Sequence, residues 1–364
     1  MQQKKRKKRI AIYIGKFQPL HKAHEDIIFQ CEEKFDETIV LVGSVNRRIS
    51  VKHPFNFRTI KMWIENISRK IIIKPIKDYI YNEQKWKTEV LEAVYNEFPF
   101  HEGIDYEFTI VGHDKDESSY YLKSFPDFKV MEIDNLFGNL SSTKIREVMF
   151  NSTIDYEDVD EKWNIKNESV KFIYENTSAI VRDSIFGYDK DKMDILREEY
   201  DFYENEKKLF KDYPFPETLK FSCSDAVVVC EGHVLLVRRK FAPGKGVWAI
   251  PGGFTNSNET FEQCSIRELQ EETGIKIPYN ALKQSVKSFN VFDNPNRNIG
   301  LSKITIAYFY EVYPDKNKKG FNILPKVKAG DDAAEAKWFA ISEVKRMNLF
   351  DDHSDIIDYF TSAM

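Results

Sequence analysis

Short apolar runs alternate with longer amphipathic stretches through the first half of the chain. Ile10 to Ile14 (IAIYI) is apolar throughout and predicts a buried strand, and Thr38 to Val45 predicts a second strand after a helical stretch. Strands over Ile71 to Ile73, Tyr106 to Val111 and Lys129 to Ile133 extend the series, with a helix over Glu83 to Tyr95 and another from Ser142. This alternation predicts an α/β fold with a doubly wound, Rossmann-like parallel sheet. Residues 150–220 are acidic, Tyr-rich and broken by Pro214 and Pro216, which predicts closing helices followed by a linker. A second set of strands follows, at Ala226 to Cys230, Val234 to Arg238, Val286 to Phe292 and Thr305 to Val312, and predicts an α/β/α unit with a mixed sheet. The expected organisation is a basic tail over 1–9, a first domain over 10–185, a linker and connecting helix over 186–220, and a second domain over 221–364.

A length of 364 residues with 42% apolar composition is enough for two cores. The formal net charge is only −4, so the chain lacks the basic field that nucleic-acid binding demands. The run Lys4 to Arg9 (KKRKKR) reads as a solvated tail whose deletion should leave activity intact. Cys31, Cys223, Cys230 and Cys264 form no CxxC pair, which argues against a zinc site or a disulfide framework and for a reducing compartment. With no apolar signal core and no uninterrupted run of about 18 apolar residues, a cytoplasmic protein without a membrane partner is expected. Self-association is left open.

Chemistry concentrates in two places. Residues 253–275 read GFTNSNETFEQCSIRELQEETGI. In a helix, Glu268, Glu271 and Glu272 fall at i, i+3 and i+4 and share one face, where they repel. A solvated surface helix is the plain explanation of such a cluster, and a divalent cation, Mg²⁺ first, is the chemical one. Ser257 or Asn258 is placed to cap the helix and Gly274 to end it, while Pro251-Gly252-Gly253 lets backbone approach a ligand. The second place is residues 15–24, GKFQPLHKAH, directly after the first strand. Gly15 admits backbone close to a nucleotide, and His21 and His24, three apart at a helix start, meet phosphate at the positive helix end. Residues 141–146 read SSTKIR, where the hydroxyls of Ser141, Ser142 and Thr143 with Lys144 and Arg146 offer either a helix cap or a phosphate cradle.

The segment 253–275 resembles the box of the Nudix hydrolases, which split a nucleoside diphosphate linked to a group X. The resemblance implies that Glu268, Glu271 and Glu272 hold Mg²⁺, with Mn²⁺ as the alternative, and help deprotonate water. It also implies that Arg267 orients the carboxylates, that the carbonyl of Gly252 is offered as a further ligand, and that Glu259 is structural. Residues 15–24 and 141–146 together resemble the HxGH nucleotidyltransferase superfamily, with Ala23 where Gly is usual. The narrower resemblance is to archaeal-type NMN adenylyltransferases, which make NAD⁺ and pyrophosphate from NMN and ATP. On it, Gly15 and Phe17 line the nucleotide site, His21 and His24 hold phosphate oxygens, and Lys16 and Arg146 neutralise pyrophosphate. Asn82 would bond the carboxamide of the nicotinamide and Trp86 would stack on it. Gly112, His113 and Asp116 would form the ribose loop, and Pro54, Phe55 and Arg58 a further loop. Taken alone, Trp86 also suits a core and Asp116 a turn.

The whole chain resembles bifunctional NMN adenylyltransferase and Nudix hydrolase proteins, which implies ADP-ribose as the second substrate, cut to AMP and ribose 5-phosphate. Of the Pro-x-Arg-Asp-Pro-Arg loop found in such Nudix domains, residues 293–300 (DNPNRNIG) keep Pro295 and Arg297 only. Trp248 and Phe292 are candidates to stack an adenine. Asp331, Asp332 and Glu335 offer either a late carboxylate for the chemistry or a surface turn. NADH, a dinucleoside polyphosphate or a nucleoside triphosphate as substrate, or a non-catalytic sensor of ADP-ribose or NAD, are the competing readings of this unit.

Overall fold

The structure is a computed structural model. It describes residues 6–112, 122, 124–133, 137–138, 140–151, 168–214 and 219–362. The chain divides into two compact units, Met1–Arg197 and Glu198–Met364, a division that falls within one helix, α7 (Lys190–Leu209).

In the first unit β1 (Arg6–Gly15), β2 (Glu37–Val42), β3 (Ile71–Pro75), β4 (Ile104–Gly112) and β5 (Lys129–Glu132) form one sheet in the order β3-β2-β1-β4-β5. Every pairing is parallel. A parallel sheet is covered on both faces, which is why its central strand reads as an unbroken apolar run. The two faces of β1 separate by the strand's period of two. Ile10, Ile12 and Ile14 join the core that contains Val90 and Val94 of α3 (Glu83–Glu97), and Ala11 joins a second cluster with Cys31 of α1 (Lys22–Lys34). One helix absent from the sequence expectation, α2 (Phe57–Ile67), packs on one of the closing helices expected over 150–220. In α2 the fully buried Trp63 donates its indole N–H to Ser184 of α6 (Ala179–Phe186) at 2.8 Å. Helices α4 (Ser142–Asn151) and α5 (Glu168–Asn176) pack on each other.

The basic run is not wholly a tail. Residues 6–9 are the first four of β1 and pair with β4, so a deletion reaching them would shorten the central strand. Neighbouring strands supply the counter-charges: Lys7 meets Glu107, Lys8 meets Glu37, and the backbone N–H of Arg9 donates to Asp36 at 2.8 Å. The expectation of a solvated segment weighed charge along the chain and missed acids on adjacent strands.

The second unit is built on β6 (Phe221–Cys230), which lies parallel to β11 (Lys303–Glu311) and antiparallel to β7 (His233–Arg239). With β10 (Val286–Phe292) and β14 (Ala333–Ala340) the order is β10-β11-β6-β7-β14, and β12 (Asp315–Lys316) and β13 (Asn322–Ile323) pair separately. Two short strands join it, β8 (Trp248–Ala249) on β7 and β9 (Gly252–Phe254) on β6. Ile266 and Leu269 of α8 (Phe261–Thr273) pack with Ala226, Val228 and Cys230 of β6, joined by Leu282 of α9 (Tyr279–Ser285). After the short α10 (Ile341–Val344), Phe360 of α11 (His353–Thr361) stacks on Phe309 at 5.5 Å. Among the described residues no helix is long and apolar enough to cross a membrane.

Candidate active sites

In the first unit the strand order reverses between β1 and β4, the crevice where ligands bind in open α/β sheets. The segment after β1 passes through Gly15, Lys16 and Phe17 into α1. Phe17 adopts a left-handed φ of 51° and turns its ring back over Gly15, where a Cβ would come within 2.6 Å of the ring. Gly15 is therefore required by Phe17. Phe17 is buried between Tyr13 and His24, so it presses on the edge of His24 and offers no open face to a nucleotide. His21 and His24 stack with ring centroids 3.7 Å apart at the N-terminus of α1.

The second motif arrives at the same place. Ser142 Oγ donates to the carbonyl of Pro19 at 2.9 Å, and Arg146 donates to the carbonyl of Gln18 and, at 3.1 Å, to Thr143 Oγ1. Ser141 Oγ accepts from the N–H of Lys144 at 3.3 Å at the start of α4. Gln18 also binds Phe55 on both sides of its amide, donating at 2.7 Å and accepting at 3.0 Å. Three segments far apart in sequence are thus pinned around one glutamine. Burial lowers the pKa of Arg146 to about 10, which leaves it cationic at neutral pH.

Around this centre sit groups that the motifs did not announce. Lys16 Nζ lies 3.2 Å from Asp78 Oδ2, and Ser44 donates to the same carboxylate oxygen. Burial pushes the Asp78 carboxyl up, but Lys16, Ser44 and Arg47 outweigh it and hold the pKa below the usual range. His53 is buried and its Nε2 has no hydrogen-bond partner among the described residues. Burial first, then the charges of Lys16, Lys52 and Arg146, hold its pKa well below the ordinary value against the opposing pull of Asp78. Arg58 is not in a loop but in the first turn of α2. Asn82 caps α3, its Oδ1 accepting from the N–H of Lys85 at 2.9 Å, and Trp86 is half-buried against the core 5.8 Å from Phe125. Gly112 ends β4, and its carbonyl accepts from Ile133 at 3.0 Å. His113 and Asp116 lie outside the described residues.

In the second unit α8 begins not at Ser257 or Asn258 but at Thr260, which forms a capping box with Gln263, and it ends at Gly274 with φ 55°. Arg267 gathers the acids. Its guanidinium donates to both oxygens of Glu259 (3.0 and 2.7 Å), to Glu268 at 2.7 Å and to Glu271 at 2.9 Å. These partners, Glu259 foremost, hold the arginine cation above its ordinary pKa, and Arg267 in turn drives Glu259 down to about 2. Glu272 stands apart from Arg267. It is buried, accepts from the N–H of Gly252 at 3.1 Å, and is pushed up to about 8 by burial and by Glu268. Burial also raises Glu268. The glycines serve the carboxylates: a Cβ on Gly253 would lie 2.4 Å from Glu268 Oε1, and one on Gly252 would lie 2.1 Å from Asp225 Oδ1.

Among the described residues no three His, Cys, Asp or Glu side chains are already closed into a metal-holding group, Arg267 bridging Glu268 and Glu271 instead. The donor set nevertheless fits a hard divalent cation. Glu268 and Glu272 are crowded, desolvated carboxyl oxygens whose raised pKa values signal missing positive charge. Asp331 and Asp332 line a cavity with Glu268 and Glu272, whereas Glu335 faces Arg238 at 4.0 Å.

Of the two candidate adenine contacts, Phe292 is corrected. Phe292 is buried and packs edge-on against Tyr359 and Phe360, with no face open to a ligand. Trp248 sits against Phe339 at 4.7 Å and lines neither cavity beside the box. Arg297 does line a cavity, but its guanidinium is held by Asp352 in a buried two-bond pair at 2.9 and 3.0 Å. That partner is 55 residues away and no local pattern announces it.

The fold and the motifs at its switch point define a nucleotidyltransferase unit, and the glutamate helix beneath two glycines defines a Nudix unit. Residues 12–195 match the Cytidylyltransferase-like family model and residues 223–360 the NUDIX domain model. The chain is similar to the nicotinamide/nicotinic acid mononucleotide adenylyltransferase of Acinetobacter baylyi, with 35% identity over 39% of this chain and 76% of that protein. It is also similar to the ADP-ribose pyrophosphatase of Methanocaldococcus jannaschii, with 35% identity over 37% of this chain and 70% of that one. A crystal structure of a bifunctional NMN adenylyltransferase/ADP ribose pyrophosphatase from Francisella tularensis, complexed with AMP and a Mn ion, superposes with a TM-score of 0.77. The match covers 98% of this chain and 99% of that one at 30% identity. The chain belongs to this bifunctional NMN adenylyltransferase/ADP-ribose pyrophosphatase family.

Two outcomes follow from the buried charges. Arg297→Met strands Asp352 without its partner and should destabilise the second unit by about 3–5 kcal/mol, with Arg297→Met/Asp352→Leu recovering most of it; urea unfolding curves check this. For His53 the folded pKa lies below the unfolded value of about 6.5, so as pH falls through that value only the unfolded chain gains the proton and stability declines. His53→Gln should reduce the loss of unfolding free energy between about pH 7 and pH 5, by up to about 1.4 kcal/mol per pH unit. Equal slopes in the two proteins would count against it.

Proposed function

We propose that the first unit joins NMN and ATP into NAD⁺ and pyrophosphate, and that the second hydrolyses ADP-ribose to AMP and ribose 5-phosphate. The observation that carries the first assignment is the docking of Ser142 and Arg146 on the Gln18–Pro19 backbone beside His21 and His24. An oxygen of the NMN phosphate attacks the α-phosphorus of ATP as the bond to the β-phosphate oxygen breaks and pyrophosphate leaves. The stacked imidazoles and the N-terminus of α1 receive phosphate oxygens, and Arg146 and Lys16 balance the charge of the departing pyrophosphate. Asp78 holds Lys16 until the triphosphate competes for it. Asn82 and Trp86 are assigned to the nicotinamide.

For the second unit the carrying observation is Glu272 and Glu268 set against Gly252 and Gly253. Glu268, Glu271, Glu272 and the carbonyl of Gly252 would hold a divalent cation, for which we assign Mg²⁺. Such an ion supplies an activated water and screens the pyrophosphate. Arg267 fixes the carboxylates so that they are in place before the cation arrives. All four cysteines are free thiols, which suits a reducing cytoplasm.

His24→Ala should lower NAD⁺ synthesis by on the order of 10²- to 10³-fold while ADP-ribose hydrolysis is retained, with both read on one preparation. Glu272→Gln should do the opposite. Chelation should abolish hydrolysis, and Mg²⁺ should restore it in the wild type. Hydrolysis that survives both the substitution and the chelator would refute the assignment of the second site.

A further inference from the structure

The residues matched to the NUDIX domain begin at 223, yet the cavity beside the box has a wall that precedes them. This cavity, of about 200 Å³, is lined by Gly252 and Glu272 of the box region and also by Tyr203 and Glu206 of α7. Glu206 and Lys303 are mostly buried, with Lys303 Nζ 3.4 Å from Glu206 Oε1. Glu206 Oε2 is buried and has no hydrogen-bond partner among the described residues. Gly300, at φ 80°, makes room for it: a Cβ there would lie 2.5 Å from both Glu206 Oε2 and a ring carbon of Tyr203. The site that loop 293–300 leaves without a side chain is therefore filled from α7.

The lining decides what suits this cavity. Arg297 is paired with Asp352 and Lys303 with Glu206, and Arg239, Asp225 and Glu272 also line it. A neutral group rich in hydroxyls would find carboxylate acceptors here with an ammonium donor alongside. At about 200 Å³ the cavity has room for a sugar ring. We propose that Glu206 is a specificity-determining residue of the hydrolase, its Oε2 accepting hydrogen bonds from hydroxyls of the sugar joined to the second phosphate. This rests on the reading of the second unit as a hydrolase of nucleoside diphosphate sugars.

The test compares full-length wild type, Glu206→Ala and Glu206→Gln on ADP-ribose and on the n-pentyl ester of ADP, which keeps the adenosine and pyrophosphate but has no hydroxyls on X. The readout is the ratio of kcat/KM for the two substrates, which a general loss of folding or metal binding does not move. Glu206→Ala should lower the ratio about tenfold or more, chiefly through KM for ADP-ribose, as expected for a hydrogen bond to a charged group. Glu206→Gln, which retains an acceptor oxygen, should lower it about threefold. If Glu206→Ala does not fold, Glu206→Gln decides, together with Gly300→Ala, whose added methyl displaces the carboxylate and should shift the ratio the same way. A ratio unchanged within about twofold overturns the proposal. If the wild type cuts neither compound, the hydrolase reading fails by itself, and calorimetry with ADP-ribose then decides on Glu206. Binding about tenfold weaker in the Ala variant supports it, and equal binding overturns it.

Discussion

Glu259, Glu268 and Glu271 converge on the single guanidinium of Arg267, and Glu272 is left to the N–H of Gly252. Like charges this close would drive the side chains apart into water. Arg267 removes most of that cost for three of them, with a planar donor array that a lysine does not possess. The fourth, buried and pushed up to about 8, carries the remaining deficit of positive charge. The Nudix unit depends on this unequal sharing, because it keeps the carboxylates in place while leaving one of them poorly compensated.

The first unit poses the inverse problem. Lys16, Lys52 and Arg146 surround His53, and Asp78 is the acid set among them. Positive charge is gathered at the sheet's switch point, where a triphosphate must be held, and the imidazole nearest these cations stays neutral. Gln18 is what assembles the place. Its side-chain amide joins the strand end to Phe55 and its backbone carbonyl accepts from Arg146, so that elements from three parts of the chain meet on one residue.

Both motifs were legible because their spacing is local: residues three or four apart on a helix share a face in any context. The parallel sheet was legible for a similar reason, through the unbroken apolar run of β1. Gln18, Asp78, His53 and Glu206 were not, because their meaning lies chiefly in groups brought in from distant parts of the chain, and a single sequence does not display such pairings. The basic run failed on the same ground, its acids lying on β2 and β4. Phe292 was misread since an aromatic at a strand end looks alike whether it faces a ligand or, as here, the buried side of α11. Arg297 was found, but its pairing with Asp352 was hidden.

The contact between Gly253 and Glu268 leaves no room for a side chain. Glycine alone lacks a Cβ, so every amino-acid replacement at position 253 intrudes on the carboxylate 2.4 Å from where that carbon would lie. A residue that performs none of the reaction thus sets where one of its carboxylates can stand, and the room left by a missing carbon is part of the site.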